Sequence, residues 1–211
     1  MKTLFASDYD GTLSRLGYIS LKTRRSIRKY RDGDHFFAAA TGRCPLMFFD
    51  RSLGRYYDFI IGSTGARICD AERKVIYEKP LDKEDAEFVI EMARNSKARH
   101  LIAHLEDTYL FLRPSILTAA TALLYRFINP NMVRKKLIPG EKLYQMSINL
   151  RSRQQVEEIL EKCRGHNVNA FVNGLAVDIV HKDCSKSSGV AIVQKLINAD
   201  KVYTIGDEKN D

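Results

Sequence analysis

Apolar positions along the chain come first as short runs and then at helical spacing, and this alternation repeats. Residues 2–7 are mostly apolar and lead into Asp8-Tyr9-Asp10-Gly11, which predicts a buried strand presenting a polar turn at its C-terminal end. Ser20 can cap a helix reaching Tyr30, with Gly33 as its stop. A second apolar run over 35–40 ends in Thr41-Gly42-Arg43, Pro45 opens a helix toward Leu53, and 58–61 reads as a third strand. Tight turns cannot join parallel neighbours, so this order predicts a parallel sheet with right-handed crossovers, its polar residues gathered at the strand C-termini.

The rhythm then changes. Residues 66–69 and 74–78 flank the turn-like 70–73 as a hairpin, and Lys79-Pro80-Leu81 reads as a linker. A helix over 82–96 is followed by strands at 100–105 and 108–112, a helix over 114–127, a strand at 144–150, a helix over 153–163, and strands at 169–172 and 176–180. Strand pairs separated by helices predict an α+β layer. The first rhythm resumes with a helix over 185–198 and a strand over 201–205. The fold class is therefore α/β, a three-layer Rossmann-like core over 1–80 and 182–211 with an α+β domain inserted over 81–181.

Composition narrows the classes. With 45% hydrophobic residues in 211, a sizeable core is expected, and no apolar stretch approaches the roughly 18 residues of a membrane span. Asp8 interrupts the first apolar run too early for a signal peptide, and Cys44, Cys69, Cys163 and Cys184 form no C-x-x-C pair, so reduced thiols and a cytoplasmic home are expected. The net charge of +8 suits an anionic partner. Its densest basic stretch, 22–31, carries Thr23, Ile27 and Tyr30 at helical spacing, however, and reads as the solvated face of an amphipathic helix, which disfavours nucleic acid as a partner.

Four polar clusters fall on one predicted rim. Asp8 and Asp10 converge on a small volume, where a hard cation such as Mg²⁺ relieves their repulsion. Thr41-Gly42-Arg43 offers a hydroxyl and backbone N–H groups at the next strand end, a possible phosphate cradle. Lys186 opens the late helix, and Gly206-Asp207-Glu208-Lys209-Asn210-Asp211 follows the last strand. Each alone has a plain reading as a turn, a cap or a surface lysine; together they do not. His100 and His104 lie on a strand-like run with no H-E-x-x-H glutamate, which argues against zinc. Ser185, Ser187 and Ser188 have no assignable His or acid partner, which argues against a serine hydrolase.

With these four clusters in this order, the sequence resembles the haloacid dehalogenase superfamily of phosphotransferases. An apolar strand followed by Asp8-x-Asp10-Gly11-Thr12 matches its first motif, and Thr41, Lys186 and Gly206-Asp207-x-x-Asn210-Asp211 agree in type and order. The insert is similar to the α+β cap of the Cof-type (C2B, subclass IIB) branch, with 61–66 and 177–180 also in keeping. The chain departs from that branch at Thr64-Gly65, where Asn-Gly is usual, and in ending at Asp211, from which fraying after Ile205 is expected.

The resemblance implies a phosphate monoester hydrolase in which Asp8 is the nucleophile, forming an aspartyl-phosphate, and Asp10 the general acid and base. It implies Mg²⁺ held by Asp8, the backbone carbonyl of Asp10 and Asp207. Phosphate oxygens would meet Gly11, Thr41, Gly42 and Lys186, with Asn210 and Asp211 behind them. A small phosphorylated metabolite, by default a sugar phosphate, is the implied partner, with Arg113, Lys142 and Asn173 as polar candidates in the cap. A sugar phosphomutase, or a catalytically weak phosphate- or nucleic-acid-binding protein, are the alternatives, and oligomeric state is not legible.

Overall fold

The computed structural model describes residues 1–14, 19–45, 56–106, 108–112, 116, 119–120, 122–123, 133–134 and 140–207. The helices expected over 45–53 and 114–127 fall wholly or largely outside these residues, as do Arg113, Asn210 and Asp211. The chain forms two compact units, Met1–Glu78 with Cys184–Asp211, and Lys79–Asp183.

The first unit is built on one six-stranded sheet in the order β12-β1-β2-β3-β4-β5. Strands β1 (Thr3–Asp8), β2 (His35–Ala40), β3 (Phe59–Gly62) and β12 (Lys201–Ile205) are parallel, whereas β4 (Arg67–Asp70) pairs antiparallel with β3 and β5 (Val75–Glu78) antiparallel with β4. The hairpin read from sequence thus extends the core sheet, which is mixed. Its turn is tied by Asp70, whose Oδ1 accepts from the N–H groups of Glu72 (3.0 Å) and Lys74 (2.9 Å).

Period-two alternation sends successive residues to opposite faces. Phe37 and Ala39 pack with Tyr9, Ile27 and Tyr57 on the side of helix α1 (Leu21–Arg31), and Ala38 and Ala40 pack with Leu4, Ile61 and Val193 on the other side. The small alanines of β2 let the late helix lie close to the sheet. In α1, Ser20 Oγ accepts from the Thr23 N–H at 3.1 Å, satisfying one orphan donor of the first turn. Ile27 is its buried residue and Lys22, Arg25, Arg28 and Lys29 are exposed, as an amphipathic surface helix requires. Asp58 fastens the helix to the sheet: it accepts a forked pair of bonds from Arg31 (2.9 and 2.6 Å) and a third from the Phe37 N–H.

The second unit has its own sheet, β10-β11-β9-β6-β7-β8, running Val168–Asn173, Ala176–His181, Gln145–Asn149, His100–His104, Tyr109–Phe111 and Val133–Arg134. All its pairs are antiparallel except β7 with β8, a two-residue strand that no sequence pattern announced. Helices α2 (Lys83–Asn95) and α3 (Arg153–Cys163) supply Val89, Met92, Val156 and Ile159 to a core shared with Leu101, Met146, Ile148, Val177 and Ile179. All four cysteines are buried. Among the described residues no helix is long and apolar enough to cross a membrane.

His104 on β6 is buried against the edge of Tyr109, ring centres 4.7 Å apart, and burial pushes its pKa from 6.5 down to about 3. The unfolded chain takes up a proton below pH 6.5 that the folded unit refuses. The stability linked to this group is therefore complete above pH 6.5 and is lost as pH falls toward 3, at up to about 1.4 kcal/mol per pH unit. Urea midpoints should fall across that window, with a shallower slope in His104→Gln. Equal slopes in both proteins would assign the acid sensitivity to other groups.

Candidate active site

Parallel pairing carries β1, β2 and β12 to a common rim, because Asp8 is in register with Ala40 and Ser7 with Ile205. The residues following these strand ends are the ones singled out by sequence: Asp10 and Gly11 after β1, Thr41 to Arg43 after β2, and Asp207 after β12. Their proximity is a consequence of sheet register.

Asp8 ends β1 and is buried, and its Oδ1 receives Lys186 Nζ at 2.7 Å; both side chains are more than 90% removed from solvent. Lys186 opens helix α4 (Lys186–Ile197) directly after the N-cap Ser185. A reciprocal capping box fixes that start: the Ser188 N–H donates to Ser185 Oγ and the Ser185 N–H to Ser188 Oγ, each at 2.9 Å. A lysine in a first helical turn opposes the helix dipole, so its placement is accounted for by the carboxylate. The N-cap is approached closely by the turn Ser63–Gly65, where a Cβ on Gly65 (φ +88°) would overlap the Ser185 carbonyl.

That turn is also where backbone strain collects. Ser63 (φ 46°) and β-branched Thr64 (φ 52°) adopt the left-handed conformation that bulky L-residues avoid. Their N–H groups hold the loop after β2, Ser63 donating to the Arg43 carbonyl (2.8 Å) and Thr64 to the Thr41 carbonyl (3.1 Å). Thr41 is buried, and its hydroxyl accepts from the Arg43 N–H at 3.2 Å, so it caps this loop from within.

The loop after β1 closes on itself, with the Ser14 N–H donating to Tyr9 O (2.8 Å) and the Gly11 N–H to Ser14 O (3.1 Å). Asp207 lies against it: Thr12 Oγ1 donates to Asp207 Oδ1 at 2.6 Å, and a Cβ on Gly11 (φ +87°) would sit 2.5 Å from Oδ2. Gly11 is thus required twice, for its backbone conformation and for this approach. Asp10 turns its carboxylate to Arg43, with Nε to Oδ2 at 2.7 Å and Nη2 to Oδ1 at 2.5 Å. Neither Arg43 nor Thr12 carried a side-chain role in the sequence reading, and only their places inside the two motifs pointed to them.

Among the described residues no three His, Cys, Asp or Glu side chains cluster closely enough to hold a metal by themselves. The residues that the family resemblance implies for a metal are instead the carboxylates of Asp8 and Asp207 and the main-chain carbonyl of Asp10, which follow or end the neighbouring strands β1 and β12, the Asp207 carboxylate lying against Gly11 next to Asp10. Few hard oxygen donors leaving room for water and phosphate oxygens fit Mg²⁺. Ala40, Ser187, Val190 and Thr204 join Asp8 and Lys186 around a cavity of about 90 Å³.

The sequence profile of the haloacid dehalogenase-like hydrolases matches residues 5–211, nearly the entire chain and all the motifs described above. The chain belongs to that family. It is accordingly an enzyme of the hydrolase class. A curated relative named "Putative phosphatase", from Buchnera aphidicola subsp. Schizaphis graminum, is 24% identical over 227 aligned positions that cover 100% of this chain and 80% of the relative. Among solved structures, a haloacid dehalogenase-like hydrolase from B. subtilis superposes with a TM-score of 0.84 at 17% identity, covering 100% of this chain and 85% of that one. A subclass IIB sugar phosphatase of the same superfamily superposes at 0.76 and 18% identity, covering 100% and 82%. These structural likenesses establish the α/β haloacid dehalogenase fold.

Removing one partner of the buried pair leaves the other charge uncompensated, typically at a cost of 3–5 kcal/mol. Lys186→Met should therefore lower unfolding stability by about 3 kcal/mol, and adding Asp8→Asn should recover part of that loss. Urea titration of both variants checks this, and additive losses would mean that the two charges do not support one another.

Proposed function

We propose that this chain is a Mg²⁺-dependent phosphate monoester hydrolase that works through an aspartyl-phosphate on Asp8, with a small sugar phosphate or related phosphometabolite as substrate. The observation that carries the reading is the buried Asp8–Lys186 ion pair at the end of the first strand, with Asp10 and Asp207 gathered on the same rim. An aspartate is ionised at neutral pH and can act as a nucleophile without a separate base. Lys186 orients it through Oδ1 and leaves Oδ2 outside that pair. When bound, Mg²⁺ held by Asp8, the Asp10 carbonyl and Asp207 would offset the charge between carboxylate and phosphate.

The reaction then needs two proton movements. As Asp8 attacks phosphorus and the ester P–O bond breaks, Asp10 gives a proton to the leaving oxygen. As water attacks the phosphoaspartate, Asp10 takes a proton from it, and phosphate leaves Asp8 as the acyl-phosphate bond breaks. Lys186, the Thr41 hydroxyl and the main chain near Gly11 and Gly42 would meet the nonbridging oxygens. Asn210 and Asp211 would stand behind them. The unit Lys79–Asp183 is read as a cap that selects the leaving group. The name of the curated relative supports phosphate ester hydrolysis, and the subclass IIB sugar phosphatase among the structural neighbours supports a sugar phosphate.

Phosphate release from a panel of monoesters tests the reading. Activity should vanish with chelator and return with Mg²⁺, and Asp8→Asn should lose roughly a thousandfold or more in kcat. Undiminished turnover in Asp8→Asn contradicts the assignment. Asp10→Asn should lose about 10²–10⁴ on alkyl phosphates but much less on an aryl phosphate, whose leaving group needs little protonation. Equal losses on both would remove Asp10 from the acid role.

A further inference from the structure

We infer that His181 is a positioning residue that fastens the chain's way into the second unit to its way out, so that both roots of the cap turn as one piece. The inference rests on the reading of Lys79–Asp183 as a cap given above. His181 ends β11 and is only 2% exposed. Its Nδ1 accepts from the Asp183 N–H at 3.1 Å, which leaves a ring proton on Nε2. Nε2 faces Oδ2 of Asp82 at 3.4 Å, and Oδ2 of Asp183 lies 3.5 Å from Nδ1. A buried ring must find partners for its polar atoms, and here they are found at the two boundaries of the unit, Asp82 just inside its start and Asp183 at its end.

Each crossing is also held to the body of the unit. Lys182 donates its N–H to the Asn167 carbonyl (2.9 Å) and Nζ to Asn167 Oδ1 (3.0 Å), and its carbonyl accepts from Asn169 Nδ2 (2.6 Å). On the entering side the Leu81 N–H donates to the Leu143 carbonyl at 2.8 Å, and the Leu81 side chain belongs to the core of the unit. These bonds carry residues 81–82 and 181–183 with the second unit, so the dihedrals that turn when a cap opens lie before Leu81 and after Asp183. Pro80 narrows the first joint further, because its ring locks one of the two soft angles. The His181 ring adds a direct tie between crossings that otherwise loosen independently, and a cap tied at both roots loses less freedom when it closes on a leaving group. A smaller closed fraction raises KM in proportion and leaves the chemical step after closure unchanged.

The test compares the unsubstituted protein with Asp82→Ala, Asp82→Asn and His181→Asn. Asp82 makes no side-chain capping bond to α2, so its replacement probes the tie and not the helix start. One arm is amide hydrogen exchange read by mass spectrometry, without substrate. Asp82→Ala and His181→Asn should each speed exchange at Leu81, Lys182 and Asp183 about tenfold and leave the sheet amides of Met146 and Ile148 unchanged. The other arm is Mg²⁺-dependent turnover of glucose 6-phosphate and of acetyl phosphate, whose leaving group is too small to gain from a cap. KM for glucose 6-phosphate should rise about 3–10-fold with kcat within twofold, acetyl phosphate kinetics should not change, and Asp82→Asn, which keeps an acceptor oxygen, should be largely restored. Unchanged exchange at the crossings overturns the inference, as does an effect in His181→Asn that Asp82→Ala does not share, or faster exchange throughout the second unit, which would make His181 a core residue only. Equal losses on both substrates overturn it too, since the change would then lie at the catalytic rim. Failure of the unsubstituted protein to turn over glucose 6-phosphate, or turnover that does not need Asp8, would instead count against the underlying reading, while the exchange arm still decides whether the tie exists.

Discussion

A carboxylate at the end of a buried strand costs several kcal/mol unless a cation meets it, and the architecture of the first unit can be understood from that constraint. Asp8 needs Lys186; Lys186 must then open a helix against its dipole, so the helix start is secured by the Ser185–Ser188 capping box. The capped turn is in turn packed by Gly65, whose missing side chain lets the Ser63–Gly65 turn reach Ser185. That turn braces the Thr41–Arg43 loop through two backbone bonds. A single ion pair is thus supported by residues drawn from β1, α4 and the loops after β2 and β3.

This bracing separates the rigid part of the rim from its adjustable part. Asp8, Lys186 and Thr41 are buried and fixed by interactions that would be costly to break. Asp10, Arg43 and Asp207 are more exposed; the Arg43 guanidinium meets the Asp10 carboxylate and the Thr12 hydroxyl the Asp207 carboxylate. This division suits the roles proposed for them, a nucleophile in fixed geometry at Asp8 and an acid and base at Asp10. The strain in Thr64 fits the same division, since an unfavourable backbone conformation is retained where its N–H braces the loop that carries Arg43.

Much of the fold could be read from sequence because its signals are local. Apolar runs ending in Asp8 and Thr41, the Ser20 and Ser185 caps and the Asp70 turn each express a short-range preference, and parallel order follows from the helices between the strands. What escaped lay in contacts distant along the chain. Nothing local says that the 66–78 hairpin joins the core sheet, or that two residues at Val133–Arg134 pair with β7. In the site, residue type and order named Asp8, Asp10, Lys186 and Asp207 as a group, but not the Arg43 fork on Asp10 or the Thr12 bond to Asp207, which depend on how two loops face each other. Local sequence marks Gly11 as a turn residue; making room for the Asp207 carboxylate depends on a strand nearly 200 residues away.

The central claim is that the buried, lysine-paired Asp8 is where the phosphoryl group is carried. Its most direct test is to mix the unsubstituted protein with Mg²⁺ and a phosphate monoester, quench in acid within one turnover, digest at low pH, and locate the acyl-phosphate by mass spectrometry. The account predicts a hydroxylamine-labile phosphoryl group on Asp8 that appears and decays at rates compatible with kcat. Steady turnover with no modified carboxylate, or with the phosphoryl group on any other residue, would contradict it.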